Sequence, residues 1–580
     1  MTAGEAAARE TAAGATCNGH VRHWWKEAVF YQVWPRSFQD SNGDGVGDIP
    51  GLMARLDHIA ALGVDAIWLS PHYDSPNVDN GYDVRDYRAV GAEFGTMEDF
   101  DALLAAVKAR GMRLIVDMVV NHSSDEHAWF VESRASKESD KRDWYVWHPG
   151  RDGGAAPPND WRSFFGGSAW ARDAATGEWY MHLFHEKQPD LNWESEPARA
   201  AIYDAMRFWL DKGVDGFRLD VIAFVSKDHA FPDYPPEHRD APENYHANGP
   251  RLFEHLSAMR REAYRGADKV ALGEAFGVTL PEAARLVAEG SGPLDMLIHF
   301  DAVRIDRAGM WRWKPVSLAA FKRVFSDMER LLGRTAWRAV TLSNHDNPRL
   351  VSHFGDDGPH WRVRSACLLA TLTLTLKGTP IVYQGDEIGM TNHPFARIED
   401  YDDVEAKGSW RDWVETGKVD AQEFLDNLWR TSRDHARTAM QWDDGPNAGF
   451  TTGTPWFHVA PNYREINAAA ARADDASVYH AYRRLIALRR ERPELVYGDY
   501  ADHLPDDARL FVYERRIGAA ACLVALNMSG EPASFAPPQG FPGAALRLVD
   551  GGPPEDAGAW LAGDVTLGPW ESRIWGLPGS

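Results

Sequence analysis

Hydrophobic positions fall into short β-branched or aromatic runs that alternate with longer stretches of helical period. The runs are Val29–Val33, Ala66–Leu69, Arg113–Val119, Gly216–Asp220, Val270–Glu274, Leu297–Phe300, Ala339–Leu342 and Pro380–Tyr383. Between them, Glu98–Arg110 and Pro197–Lys212 read as amphipathic helices. Eight strands alternating with helices predict an α/β fold, a parallel (β/α)8 barrel of the TIM type. Most runs end in a polar or charged cluster, and such a barrel builds its site at those strand ends.

The spacing of the runs is uneven. Residues 1–22 are small and polar and read as a disordered tail. The barrel is expected over residues 23–122 and 193–496. After the third strand, about Asn121 to Asn192 is rich in Trp, Phe, Gly and Pro, which sets an inserted domain at 123–192. Segments that long inside a compact unit are usually functional. A second insertion, about 389–457, follows the eighth strand and is dense in Asp, Glu and Arg. From Tyr497 the helical period stops, and strands such as Leu510–Arg515 and Ala521–Asn527 predict a small antiparallel β domain over 497–580.

Composition excludes several classes. Among 580 residues there are 62 basic and 85 acidic ones, a net charge of −23. That field opposes nucleic-acid and anionic-membrane partners. Cys17, Cys367 and Cys522 make no disulfide framework. The N-terminus lacks an apolar signal core, and the longest apolar run, Cys367–Leu376, is too short to span a bilayer. A soluble, monomeric, cytoplasmic protein is expected, or a periplasmic one if a leader has been removed. The 24 Trp, 25 Phe and 18 Tyr suit cores and sugar rings alike, and composition does not choose between them.

The strand ends carry the chemistry. Arg218 and Asp220 lie two apart on the fourth strand and point to one face, the barrel interior. A neighbouring cation should lower the Asp220 pKa and keep it ionised. The pair reads equally as a nucleophile with its partner and as a buried ion pair holding the barrel. Glu274 ends the fifth strand, His345 and Asp346 the seventh, and Asp117 with Asn121-His122 the third. Several strands thus deliver carboxylates and imidazoles to one rim. This suits glycoside hydrolysis, in which one carboxylate attacks the anomeric carbon and another protonates the leaving oxygen.

Asp117-Met-Val-Val-Asn-His122, Gly216-Phe-Arg-Leu-Asp220, Gly273-Glu274 and Asn344-His-Asp346 resemble the four ordered signature regions of the α-amylase family of glycoside hydrolases. The resemblance runs from about Trp24 to the C-terminus. It implies Asp220 as nucleophile, Glu274 as general acid/base and Asp346 as the third carboxylate. Arg218, His122 and His345 would hold the glucosyl ring. The insertion after strand three would be the family's second domain, and the C-terminal β domain its β-sandwich.

Other motifs resemble branches of that family. Asp79-Asn-Gly-Tyr82-Asp83 is similar to the pocket wall of exo-acting α-glucosidases, with Tyr82 stacking on the terminal glucose and Arg437 pairing with Asp79. Ala439 stands where that branch usually has Pro. Val221 resembles the residue of enzymes acting on α-1,6 linkages and of sucrose isomerases. Phe276, Phe300 and the Arg304-Ile-Asp-Arg307 motif resemble the sucrose isomerase branch, where the two rings would clamp the acceptor sugar and Arg304 and Arg307 line its rim. Ala308 stands where many isomaltulose-forming enzymes have Asp. Phe165, Phe184 and Gln188 are similar to further pocket residues. The resemblance implies isomerisation of sucrose to trehalulose or isomaltulose with side hydrolysis, or else oligo-1,6-glucosidase activity. Non-catalytic transporter heavy chains share this fold, but they have a membrane span and degraded carboxylates.

Asp40-Ser-Asn42-Gly-Asp44-Gly-Val46-Gly-Asp48 sets oxygen donors at alternate positions. An EF-hand fails because Gly51 stands where its glutamate would be. The α-glucosidase branch carries a similar loop, which implies structural Ca²⁺ or Mg²⁺ held by these side chains and the Val46 carbonyl. A metal-free Asx-turn loop is the alternative. No organic cofactor is implied.

Overall fold

The eight apolar runs form eight parallel strands: β1 (Phe30–Val33), β2 (Ala66–Leu69), β3 (Arg113–Val119), β4 (Gly216–Asp220), β5 (Val270–Ala275), β6 (Met296–His299), β7 (Ala339–Val340) and β8 (Thr379–Tyr383). The computed structural model describes residues 15–239, 241–266, 268–542, 546–550 and 561–577. The strands hydrogen-bond in the order β6-β5-β4-β3-β2-β1-β8-β7. A parallel bridge from Leu297 to Arg338 joins β6 to β7 and closes the barrel.

Strand parity separates two cores. Phe30, Trp68, Ile115, Leu272, Met296, Ile298 and Ile381 pack together inside the barrel. Tyr31, Val33, Ile67, Leu69, Leu114, Val116, Phe217 and Leu219 belong to the core between strands and helices. This follows from a side-chain period of two on strands buried on both faces. The interior parity continues upward into Gln32, Asp117, Arg218, Asp220 and Glu274, so an apolar plug supports a polar rim. β7 ends two residues before the predicted Leu342, because the chain leaves the ladder there to build the rim.

Helices end where their caps dictate. Thr96 and Asp99 form a reciprocal capping box on Met97–Ala109. Gly213, at φ 115°, ends Glu196–Lys212 in the left-handed region that glycine enters freely.

After β3, helix Ala128–Ala135 and a three-stranded antiparallel sheet (Trp147–His148, Trp179–Met181, Trp170–Arg172) form the inserted unit. Its return strand crosses back through the bridge His122–Asp190. After β8, helices Val404–Trp413 and Ala421–Thr431 pack around a separate core of Trp311, Phe395, Tyr401, Phe424 and Leu428. Beyond Tyr497, strands Asp499–Asp502, Leu510–Ile517, Ala520–Asn527, Ser572–Leu577 and Leu546–Asp550 make one antiparallel sheet. Ala533–Phe535 and Val565–Leu567 make a second sheet. Of the expected β domain, residues 543–545, 551–560 and 578–580 lie outside the described residues.

The expected tail is corrected in part. Residues 1–14 lie outside the described residues, but Thr16–Cys17 and His20–Val21 pair as a hairpin. Long-range partners order it: the Asn18 amide donates to Tyr497 O at 2.9 Å, and the buried His20 ring meets Trp337 edge-on at 5.1 Å.

Candidate active site

Arg218 is the hub of the rim. Register places it beside Asp117 of β3, and its Nη1 donates to Asp117 Oδ1 at 2.6 Å and to Asp220 Oδ1 at 2.7 Å. Its Nη2 lies 2.6 Å from Glu274 Oε2. Trp68 Nε1 donates to the other Asp117 oxygen at 2.8 Å. Three carboxylates therefore share one buried guanidinium. Two negative charges would be uncompensated if all three were ionised, so the cluster favours retaining a proton.

Burial pushes Asp117 up to about 6 against the pull of Arg218. Burial also pushes Asp220 well above the ordinary carboxylate range; Arg218 opposes the rise, while Glu274 and Asp117 add to it. The expectation that the cation would set the direction for Asp220 is thus corrected, because one guanidinium is divided among three acids in a desolvated site.

Val221 links nucleophile and acid positions. It sits at φ 34°, ψ 39°, a left-handed conformation costly for a β-branched residue. That turn aims its N–H at Glu274 Oε2, 2.9 Å away.

Tyr82 and His345 form the next layer. Burial lowers His345 to about 4, so the ring is neutral. Its Nδ1 accepts from Gln32 at 2.8 Å, leaving the Nε2 proton between Tyr82 OH at 2.6 Å and Asp346 Oδ2 at 2.9 Å. Trp34 stacks on the same imidazole at 5.0 Å. Burial would raise Asp346, but His345, Arg433 and Arg437 outweigh it and hold the carboxyl well below its usual range.

The partner of Asp79 is corrected. Arg433 Nη2 lies 3.3 Å from Asp79 Oδ1, whereas Arg437 turns to Asp346 Oδ1 at 3.0 Å and His345 O at 3.2 Å. Arg433 opens a 3₁₀ turn capped by Ser432, and Arg437 follows one turn later beneath Asp346. Asp403 accepts from Arg433 at 2.7 Å and fixes its fork. Gln188 donates to Asp79 Oδ2 at 3.1 Å and meets His122 Nε2 at 3.2 Å. Burial, against Arg433 and Arg437, pushes Asp79 up to about 7, and burial pulls His122 down to about 4.

One cavity gathers twelve of the sixteen predicted catalytic and substrate residues: Asp79, Tyr82, His122, Phe165, Phe184, Asp220, Val221, Glu274, Phe276, Phe300, Arg304 and Asp346. Gln188, Arg218, His345 and Arg437 stand behind it as hydrogen-bond supports. Phe276 and Phe300 touch, with ring centroids 5.3 Å apart at 55°. They form one continuous wall and leave no gap for a sugar between them. Phe164 meets Phe276 edge-on at 5.9 Å, and the Arg304 guanidinium lies over the same ring at 4.8 Å. Arg307 is not at the rim. It is buried, donating to Met310 O at 3.1 Å and Thr431 O at 2.6 Å.

Phe164, Met310, Glu405 and Arg433 also line the cavity. Arg433 was within reach of the sequence, four residues before Arg437 in one motif. Asp403 and Glu405 lie in the acidic insertion, where charge density hides individual roles.

The metal-loop residues are drawn into Asx turns. Asp40 Oδ1 accepts from Asn42 N and Gly43 N at 2.9 and 2.8 Å, and Asp44 Oδ1 accepts from Val46 N at 2.8 Å. Asp48 Oδ1 caps helix Ile49–Leu62 through Gly51 N at 2.6 Å. The donors are all oxygen, as a hard cation requires. Among the described residues, however, no three acidic, His or Cys side chains stand close enough to hold a metal.

An eight-stranded parallel barrel with acids clustered on its C-terminal rim is an arrangement that can carry out glycoside hydrolysis. The α-amylase catalytic-domain family matches residues 32–498, and this chain belongs to it. It is 46% identical over 559 residues to an oligo-1,6-glucosidase of Parageobacillus thermoglucosidasius, covering 96% of this chain and 99% of that protein. The trehalulose synthase MutB of Pseudomonas mesoacidophila MX-45 superposes with a TM-score of 0.93 at 49% identity, covering 96% of this chain and 100% of that one. A mutant isomaltulose synthase of Erwinia rhapontici NX5, solved with sucrose, superposes with a TM-score of 0.93 at 46% identity over the same shares. Among the described residues no helix is long and apolar enough to cross a membrane.

Proposed function

We propose that the protein is a retaining α-glucosyl-transferring enzyme that isomerises sucrose to trehalulose or isomaltulose, with side hydrolysis to glucose and fructose. The observation that carries this reading is the continuous Phe276–Phe300 wall with Arg304 laid over it, bordering the carboxylate cavity. Asp220, as the carboxylate, attacks the anomeric carbon of sucrose while Glu274 gives the proton retained by the acid cluster to the departing fructose oxygen. The products of this step are a β-glucosyl-Asp220 and free fructose, with Glu274 as carboxylate. Asp346 and the charges around it hold the ring hydroxyls and favour the oxocarbenium-like state. Asp79, Tyr82, His122 and Gln188 close the far end of the pocket on the terminal glucose.

Water and fructose then compete for the same carbon. Hydrolysis wins unless fructose stays, turns and is shielded. An aromatic wall excludes water and presents a flat face to a ring, which makes the second attack effectively intramolecular. Attack through O1 gives trehalulose and through O6 isomaltulose, both retaining the α configuration.

The second reading is an oligo-1,6-glucosidase, favoured by the relative of that name at 46% identity; Val221 beside the nucleophile fits both readings. Sugar analysis of a sucrose digest separates the two. Isomeric disaccharide as the main product supports isomerisation. Glucose and fructose alone, or intact sucrose with cleaved isomaltose, supports the glucosidase. We also propose that Asp40, Asn42, Asp44, Asp48 and the Val46 carbonyl take Ca²⁺ or Mg²⁺ by opening their Asx turns, a structural role remote from the rim.

A further inference from the structure

At the opposite end of the barrel from the rim, four cationic side chains are buried beneath β7 and β8: Arg338, Lys377, Arg489 and Arg515. In three of them the terminal nitrogens are bonded, and only Nε of Arg489 and of Arg515 lacks a partner among the described residues. Arg489 donates to Leu374 O, Leu495 O and Gly378 O at 3.0, 2.8 and 2.6 Å. Arg515 donates to Thr375 O, Leu495 O, Val496 O and Gly498 O at 2.6, 2.9, 3.2 and 2.9 Å. Leu374 and Thr375 end helix Arg362–Thr375, so these carbonyls carry the negative end of a helix dipole. The Lys377 ammonium donates to Glu329 Oε1 and Gly333 O, each at 2.9 Å.

Arg338 differs. Its Nε donates to Lys377 O at 2.8 Å, but Nη1 and Nη2 have no hydrogen-bond partner among the described residues. The residue is only 7% exposed. With Lys377, Glu329 and Trp337 it lines a small cleft, partly open to solvent, with room for about one water-sized sphere. A guanidinium cannot shed its charge by deprotonating, so burial with an open fork is costly unless something completes it. Water can satisfy the N–H groups but leaves the charge. Among the described residues, Glu329 is the one carboxylate bonded to any of the four cations, and Lys377 already holds it.

We propose that the Arg338 fork binds a small monovalent anion of halide or nitrate size in this cleft. Its place gives it a structural consequence. Among the described residues the Leu297–Arg338 bridge is the β pairing at the seam between β6 and β7, so an anion on Arg338 ties down the place where the barrel closes. The cleft shares no lining residue with the sugar cavity, so the effect falls on stability rather than turnover.

Crystals of the full chain soaked in bromide should give an anomalous peak within hydrogen-bond distance of Arg338 Nη1 and Nη2. In solution at constant ionic strength, exchanging gluconate for chloride, bromide or nitrate should raise the Tm saturably, by about 1–3 °C. Arg338→Met should abolish the anion dependence while leaving the sucrose product ratio unchanged. Ordered water in the fork without a bromide peak overturns the proposal. So does a Tm indifferent to the anion, or an anion effect undiminished in Arg338→Met. The bromide map and the wild-type melts decide the matter even if the variant does not fold.

Discussion

The two ends of the cavity are built on different principles. At the glucose end, polar side chains spend their hydrogen bonds on one another: Arg218 serves three acids, His345 serves Tyr82 and Asp346, and Arg433 ties Asp79 to Asp346 and Asp403. At the acceptor end, rings meet edge-on or tilted, and Arg304 reaches Met310 O only at 3.5 Å. A charged hydrogen-bond network fixes atoms to fractions of an ångström, as stabilising a developing cation requires. Packed rings exclude water without dictating an orientation, which suits a sugar that must turn before it reacts again.

Breaking the polar end should have the largest effect. Asp220→Asn and Glu274→Gln should each lower kcat about 10⁴-fold on sucrose and on isomaltose alike, measured by product formation, because both steps need the pair. An Asp220→Asn enzyme of normal activity would falsify the mechanism. Next comes the ion pair at the far wall. Arg433→Ala should lower kcat/KM about 10²-fold, and a double-mutant cycle should couple Asp79 to Arg433 but not to Arg437.

The aromatic end should respond in kind rather than in rate. Phe276→Ala or Phe300→Ala should change total sucrose consumption by less than about tenfold while moving the products several-fold toward glucose and fructose. An unchanged product ratio would show that the wall does not shield the intermediate.

A pH experiment sharpens the same contrast. Asp79 titrates at about 7 in the folded protein against an ordinary 3.8, so between these values the folded state binds more protons than the unfolded one. Stability contributed by protonated Asp79 is therefore present at low pH and lost as pH rises through 7. The Tm of Asp79→Asn relative to wild type should climb from pH 4 to pH 7 and then level off. No aromatic-end variant should show that slope. The smallest effect is expected at the remote loop, where chelation or Asp44→Ala should lower the Tm by about 1–3 °C without altering the product ratio.

Much of this was legible along the chain, for identifiable reasons. Strands buried on both faces read as unbroken apolar runs, and a period of two sends Asp117, Arg218, Asp220 and Glu274 to one interior face. What stayed hidden depended on direction. The positions of Arg433 and Arg437 in one motif do not say which reaches Asp79, because an irregular 3₁₀ turn aims them. Arg307 shares a motif with Arg304, but its fork is spent on two backbone carbonyls. The N-terminal hairpin has no apolar run of its own, and its order comes from Tyr497, Glu289 and Trp337 far along the chain.

The barrel, the three acids on its rim and the family they mark can all be read along the chain, because hydrophobic period and residue identity are local properties. Folding sets the rest: Asp220 rises rather than falls in pKa, Phe276 and Phe300 close into a wall, and Arg338 keeps an open fork. Burial, ring contact and charge balance are sums over neighbours that the chain brings together only when it folds.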